Sequence, residues 1–134
     1  MKDKKTVWVN GCFDVLHRGH IELFKYAKSF GDNLVVALDT DEKIKKEKGD
    51  DRPYNSLEDR KEMLRSIKYI DGVLDFSSKE RLEHLIKLVE PDIMVVGSDW
   101  KGKDIVGGQY AKKIIFFERI EKYSTTNILN HHGS

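Results

Sequence analysis

Five short, continuously apolar runs alternate with segments of helical periodicity, and that alternation constrains this chain more than any other feature. The runs lie at Thr6 to Val9, Leu34 to Leu38, Val73 to Phe76, Ile93 to Val96 and Ile114 to Phe117. A strand with one face in water alternates apolar and polar residues, whereas a strand covered on both faces reads apolar throughout. Between the first two runs, Ile21, Phe24, Ala27 and Lys28 recur at helical spacing from His20 to Phe30, and Gly31 stands where a helix C′ residue belongs. Ser56 opens Ser-Leu-Glu-Asp, a helix-start pattern, before the stripe Leu57, Met63, Leu64 and Ile67. Ser78 caps a helix presenting Leu82, Leu85, Ile86 and Val89, and Pro91 stops it. Asp41 is placed to cap the lysine-rich segment after the second run, Lys43 to Asp51 reads as a mobile loop, and Ser124 to Leu129 as a last short helix.

The implied class is α/β: a doubly wound, Rossmann-like, five-stranded parallel sheet with helices on both faces. At 134 residues the chain fits one domain. That domain is expected over residues 1–130, with the remaining His-His-Gly-Ser a tail, native or left from expression, and disordered. With 24 Lys plus Arg against 23 Asp plus Glu, a generally basic surface for nucleic acid is excluded. Cys12 is the only cysteine, so neither an intramolecular disulfide nor a cysteine zinc site can form. The opening residues lack the apolar stretch of a secretory signal, and no run approaches the about 18 apolar residues of a membrane span. A soluble, cytoplasmic protein without membrane or nucleic-acid partners is the expectation.

In a doubly wound sheet ligands sit beyond the carboxyl ends of the strands. The segment there after the first run is Gly11-Cys12-Phe13-Asp14-Val15-Leu16-His17-Arg18-Gly19-His20, of the form G-x-F-D-x-L-H-x-G-H. Two imidazoles and several backbone N–H groups gather at the mouth of one helix, which suits an anion. Gly19 allows close approach to a phosphate oxygen, and imidazole N–H donors can follow charge that grows on phosphates. A metal could also be held by a His pair, but a third nitrogen or sulfur ligand is not evident. Neither a P-loop nor a dinucleotide fingerprint is present.

At these residues the chain resembles the HxGH-containing cytidylyltransferase-like nucleotidyltransferases. The resemblance implies that His17 and His20 contact a nucleoside triphosphate, with Gly11, Cys12, Phe13 and Gly19 around it. It also implies that Arg60, closing the segment that starts at Arg52-Pro53, reaches the phosphates. Arg119-Ile120-Glu121-Lys122-Tyr123-Ser124-Thr125-Thr126 is similar to the R-T-E-G-I-S-T-T signature of glycerol-3-phosphate cytidylyltransferases. Arg119 then offers a planar fork to phosphate, and Ser124, Thr125 and Thr126 offer hydroxyls at a helix start; the alternative is an ordinary N-cap beside a surface arginine. Gly97-Ser98-Asp99-Trp100-Lys101-Gly102-Lys103 resembles G-D-D-W-E-G-K of the same enzymes. Asp99 orients the nucleotide or forms an Asx turn, and Trp100 is either core or a wall of the site. Asp41 matches a position near the acceptor or is a helix cap. Asp14 helps place Mg²⁺ through water, contacts the acceptor or holds its turn. Of Lys45, Lys46 and Lys48, Lys46 is the preferred phosphate contact, against the plainer reading of a solvated lysine face.

The implied reaction is attack of an acceptor phosphate on the α-phosphorus of CTP, with Mg²⁺ carried on phosphate oxygens rather than by direct protein ligands. An adenylyltransferase of the heptose-1-phosphate type is the alternative, since Lys48-Gly49-Asp50-Asp51-Arg52-Pro53 resembles its K-G-x-x-R-P and Ile105-Val106-Gly107 its I-x-G. A non-catalytic nucleotide-binding module is the alternative of another class. The family resemblance further implies a homodimer. Arg119→Lys is expected to lower kcat/KM by about tenfold or more, because a point charge cannot replace the fork. Steady-state kinetics giving an unchanged kcat and nucleotide KM would remove Arg119 from the site.

Overall fold

The computed structural model describes residues 4–118. Thr6–Gly11 forms β1, Arg18–Lys28 α1, Asn33–Asp39 β2, Asp41–Lys48 α2, Leu57–Arg65 α3, Gly72–Phe76 β3, Lys79–Val89 α4, Ile93–Gly97 β4 and Lys113–Phe117 β5. The five strands make one all-parallel sheet in the order β3-β2-β1-β4-β5. The α/β class, the five strands and the parallel sheet expected from the apolar runs are all present. Arg119, Ser124, Thr125, Thr126, the expected last helix and the tail lie outside the described residues.

Successive strand residues point to opposite faces, so each apolar run feeds two cores. Val7, Val9, Leu34, Val36, Leu38, Ile93 and Val95 meet Phe24 and Ala27 of α1 and Leu64 of α3 on one face. Trp8, Ala37, Phe76 and Met94 meet Leu82 and Ile86 of α4 on the other. Both faces are covered, which is why the strands read as unbroken apolar runs.

At the amino ends of the strands, carboxylates take up backbone N–H groups. Asp32 accepts from Lys5 N, Asp92 from Thr6 N and Asp71 from Leu34 N, each at 2.8 Å. The Thr6 N–H, with Lys112, holds the Asp92 carboxyl below its ordinary range. Burial acts to raise Asp71, but Lys28 and the Leu34 N–H outweigh it and leave that carboxyl lowered. That end of the sheet is closed. At the carboxyl end, β1 pairs with β2 from Thr6↔Asn33 through Gly11↔Leu38, but with β4 only at Val7↔Ile93 and Trp8↔Met94. Beyond Trp8 the two strands part, and the sheet opens where its winding reverses.

Two expectations give way. The charge run read as a mobile loop is, as far as Lys48, helix α2, capped by Thr40 rather than Asp41: Thr40 Oγ1 accepts the Lys43 N–H. Its one buried side chain, Ile44, makes no stripe, so the helix rests on its cap and on charge placement. Asp41 and Glu42 occupy the first turn and Lys45, Lys46 and Lys48 the last, each matching the helix dipole. Helix α1 ends on Ser29 with ordinary right-handed geometry, and Gly31 is needed for close approach instead, since a Cβ there would lie 2.8 Å from the Lys5 carbonyl oxygen.

Gly107 has φ +76°, and a Cβ on it would meet Ile86 Cδ1 at 2.5 Å. Gly107→Ala is therefore expected to destabilise the fold by about 1–3 kcal/mol, through backbone strain and overpacking against α4. Urea denaturation should show a lower midpoint with an unchanged slope.

Candidate active site

A cavity of about 770 Å³ opens where β1 and β4 part. Its floor is the turn after β1. Phe13 adopts φ +48°, a left-handed conformation costing a non-glycine residue about 1–2 kcal/mol. The ring is buried edge-on between His20 (centroids 5.3 Å, 88°) and Phe24 (5.2 Å, 64°). That packing fixes the plane of the second imidazole.

His17 is the N-cap of α1. Its Nδ1 accepts the Gly19 N–H at 3.1 Å, while His20 Nδ1 accepts the His17 N–H at 3.2 Å. The two imidazoles thus build a reciprocal capping box, usually made by Ser or Thr with Glu. Their rings stack at 3.8 Å and 25°. A ring nitrogen that accepts carries no proton, so each neutral ring is assigned the tautomer with its N–H at Nε2. Capping, which the spacing alone does not reveal, decides which nitrogen can donate. The Gly19 N–H serves His17 in this arrangement.

Asp14 is buried, and three donors converge on its carboxylate: Tyr54 N and Asn55 N at 2.8 Å each and Arg52 Nε at 3.1 Å. Of the readings left open for it, holding the turn is the one its contacts describe. Arg60, expected on the phosphates, is fully buried below the cavity and is absent from its lining. Its guanidinium donates to the carbonyls of Asn55 (3.0 Å), Cys12 (3.1 Å) and Asp39 (2.8 Å) and to the Asp41 carboxylate (2.6 Å). A buried cation needs partners on every side, and here they are loop carbonyls rather than a ligand. Asp41, the ion partner of Arg60, likewise stands outside the cavity lining.

Helical register decides among the lysines. Lys43, Glu47 and Lys48 of α2 line the cavity, whereas Lys46, the residue preferred from the sequence, does not. Burial acts to lower the Lys43 ammonium, but hydrogen bonds to Glu47 and Asp39 overcome it and leave that group raised, so it stays charged at neutral pH. Arg52 and, beyond β3, Lys79 also line the space. Asp39, Lys43, Arg52 and Lys79 line the cavity without having been singled out from the sequence, and Lys48 was weighed there but ranked behind Lys46. The K-G-x-x-R-P stretch marks two of them, and Lys79 lies just past a strand end that the same rule identifies. On the β4 side Gly97, Asp99 and Trp100 form a wall, with Trp100 half-exposed and therefore not core. Cys12 lines the cavity too, but burial, only partly opposed by Lys48 and Arg60, raises its thiol. A protonated thiol is a poor nucleophile.

Comparison with known proteins bears on the family and the fold. A family model described as cytidylyltransferase-like matches residues 8–130. The chain is 43% identical over 129 residues to the bifunctional protein HldE of Helicobacter hepaticus, and 44% identical over 128 residues to that of Nitratiruptor. Each alignment takes in 96% of this chain but only 27% and 28% of those relatives, so the chain spans about a quarter of their length. Among solved structures, the lipopolysaccharide core biosynthesis protein of Thermoplasma volcanium superposes with a TM-score of 0.74 at 25% identity, over 88% of this chain and 99% of that one. A pantoate-beta-alanine ligase from Francisella tularensis shares the fold (TM-score 0.66, 19% identity, 97% of this chain and 66% of that one).

Replacing Asp14 leaves two backbone N–H groups and one guanidinium N–H without their acceptor. Asp14→Ala is expected to cost about 2–4 kcal/mol of stability. Chemical denaturation measures it, and a loss below experimental error would show that the 52–55 loop is held by other means.

Proposed function

The chain belongs to the cytidylyltransferase-like family, and from that premise we propose that it transfers the adenylyl group of ATP to the phosphate of a sugar 1-phosphate of the heptose type, releasing pyrophosphate. The observation that carries the nucleotidyl-transfer reading is the stacked His17–His20 pair at the amino end of α1, facing a cavity at the β1/β4 opening. ATP is preferred to the CTP expected from the Asp99–Lys103 and Arg119–Glu121 segments. The HldE relatives support the adenylyl reading. So do the K-G-x-x-R-P stretch, whose Lys48 and Arg52 line the cavity, and the I-x-G stretch, whose Gly107 is moulded against Ile86.

In this reaction an acceptor phosphate oxygen attacks the α-phosphorus, and the bond from α-phosphorus to the bridging oxygen breaks, its electron pair leaving with pyrophosphate. A phosphate monoester is already largely dianionic near neutral pH, with a second pKa of about 6, so no general base is needed. Catalysis then rests on alignment and on donors aimed at growing charge. The Nε2–H groups of His17 and His20 supply such donors, Lys48 adds positive charge on one wall, and Asp99 with Trp100 bounds the nucleoside on the other.

Among the described residues no three His, Cys, Asp or Glu side chains cluster to hold a metal ion. Asp14 and Asp39 of the cavity are engaged by Arg52 and Lys43. This donor set suits Mg²⁺ held on phosphate oxygens and by its own waters. Bound in that way, Mg²⁺ supplies neutralisation of the leaving pyrophosphate.

Pyrophosphate release should be measured with ATP and CTP in turn, each against heptose 1-phosphate, other sugar 1-phosphates and glycerol 3-phosphate. The highest kcat/KM is expected for ATP with heptose 1-phosphate; a preference for CTP with glycerol 3-phosphate would overturn the adenylyl reading. His20→Asn retains an acceptor near the His17 N–H while removing the Nε2 donor. It should lower kcat by about 10²-fold with the protein folded. Near-wild-type turnover would remove His20 from the chemistry.

A further inference from the structure

Arg52 has no assigned role in the reaction, yet its geometry is that of a ligand-binding group. Its Nε donates to buried Asp14 at 3.1 Å, and its guanidinium carbon stands 5.1 Å from the centre of the Tyr54 ring. One edge and one face of the guanidinium are thereby fixed. Among the described residues, Nη1 and Nη2 on the outer edge have no hydrogen-bond or ion-pair partner, although the side chain is only 21% exposed and lines the cavity. Two parallel N–H groups on a pre-oriented plane match two oxygens of a phosphate, and little ordering remains to be done on binding.

The need to bury Asp14 does not explain Arg52. That carboxylate also has Tyr54 N and Asn55 N, both at 2.8 Å, and it engages only Nε of the guanidinium. The other cavity arginine candidate, Arg60, spends its donors on carbonyls and Asp41.

Strand order indicates which phosphate is bound. Because β2 and β4 flank β1 on opposite sides, the Gly97–Asp99–Trp100 wall and the Asp39–Lys43–Arg52 wall face each other across the histidine pair. A nucleoside on the β4 wall with its triphosphate at the histidines leaves the β2 wall to the third component. We propose that the outer edge of Arg52 is the subsite for the phosphate of the acceptor, binding two of its non-attacking oxygens and leaving the third to reach the α-phosphorus. This rests on the nucleotidyl-transfer reading and adds to it the group that selects a phosphorylated acceptor.

The test compares wild type, Arg52→Lys and Arg52→Gln. Arg52→Gln, whose amide can still donate to Asp14, should raise KM for the sugar 1-phosphate by about tenfold or more, with KM for ATP nearly unchanged and a cooperative thermal transition retained. Arg52→Lys, which keeps the charge without the fork, should also raise the acceptor KM, but by less. A separate titration uses inorganic phosphate alone, followed by calorimetry: wild type should bind it, and Arg52→Gln should lose that binding. An unchanged acceptor KM in Arg52→Gln, or a rise confined to ATP, would overturn the assignment. If wild type releases no pyrophosphate with any acceptor, the proposed function fails, and the phosphate titration alone decides the subsite: loss of binding in Arg52→Gln supports it and equal binding overturns it.

Discussion

The floor of the cavity is held together by two buried opposite charges, each spent mostly on backbone. The Asp14 carboxylate collects the N–H groups of Tyr54 and Asn55 together with Arg52 Nε, and the Arg60 guanidinium collects the carbonyls of Cys12, Asp39 and Asn55. Loop backbone away from a sheet or helix has no regular partners, and leaving it dry and unpaired costs as much as a lost hydrogen bond. One acceptor and one donor therefore knit the turn after β1, the end of β2 and the 52–55 loop into a single floor. Among the described residues these are the only charged side chains buried in the interior, and no buried side-chain polar atom lacks a partner.

On that floor the chemistry follows from constraint rather than from unusual groups. Parting of β1 from β4 after Trp8 makes room at the carboxyl edge, while the carboxylates at the amino edge close the other end. The histidines are locked by mutual capping and stacking, and His20 also by the edge of Phe13, so both ring planes are fixed. Preorganised donors gain over water because they need no reorientation as charge develops. The Lys43 ammonium is fixed in the same way, held charged and in place between Glu47 and Asp39.

Legibility in the sequence tracked how local each signal was. The strands, the helix caps at Ser56 and Ser78, and the placing of His17 and His20 at a β-to-α turn all depend on neighbours within a few residues, and the structure has them. Helix α2 was misread because its apolar signal is one isoleucine, and its stability comes from a threonine cap and charge order that resemble a solvated loop. The positions of Arg60 and Arg52 were illegible for a different reason: both sit in one motif-bearing segment, and nothing local tells that Arg60 is drawn under the sheet while Arg52 lines the cavity.

By itself, then, the sequence determined the layers, the parallel order of elements and the imidazole pair at the first crossover, since periodicity and capping are properties of contiguous residues. Only the tertiary structure decided which cation faces the cavity and that Asp14 binds backbone rather than solvent. Those choices turn on contacts between segments some 40 residues apart, such as Asp14 with Asn55 at a separation of 41. A charge is assigned to ligand or to scaffold by whatever distant partner reaches it first, and that partner is known only once the chain has closed on itself.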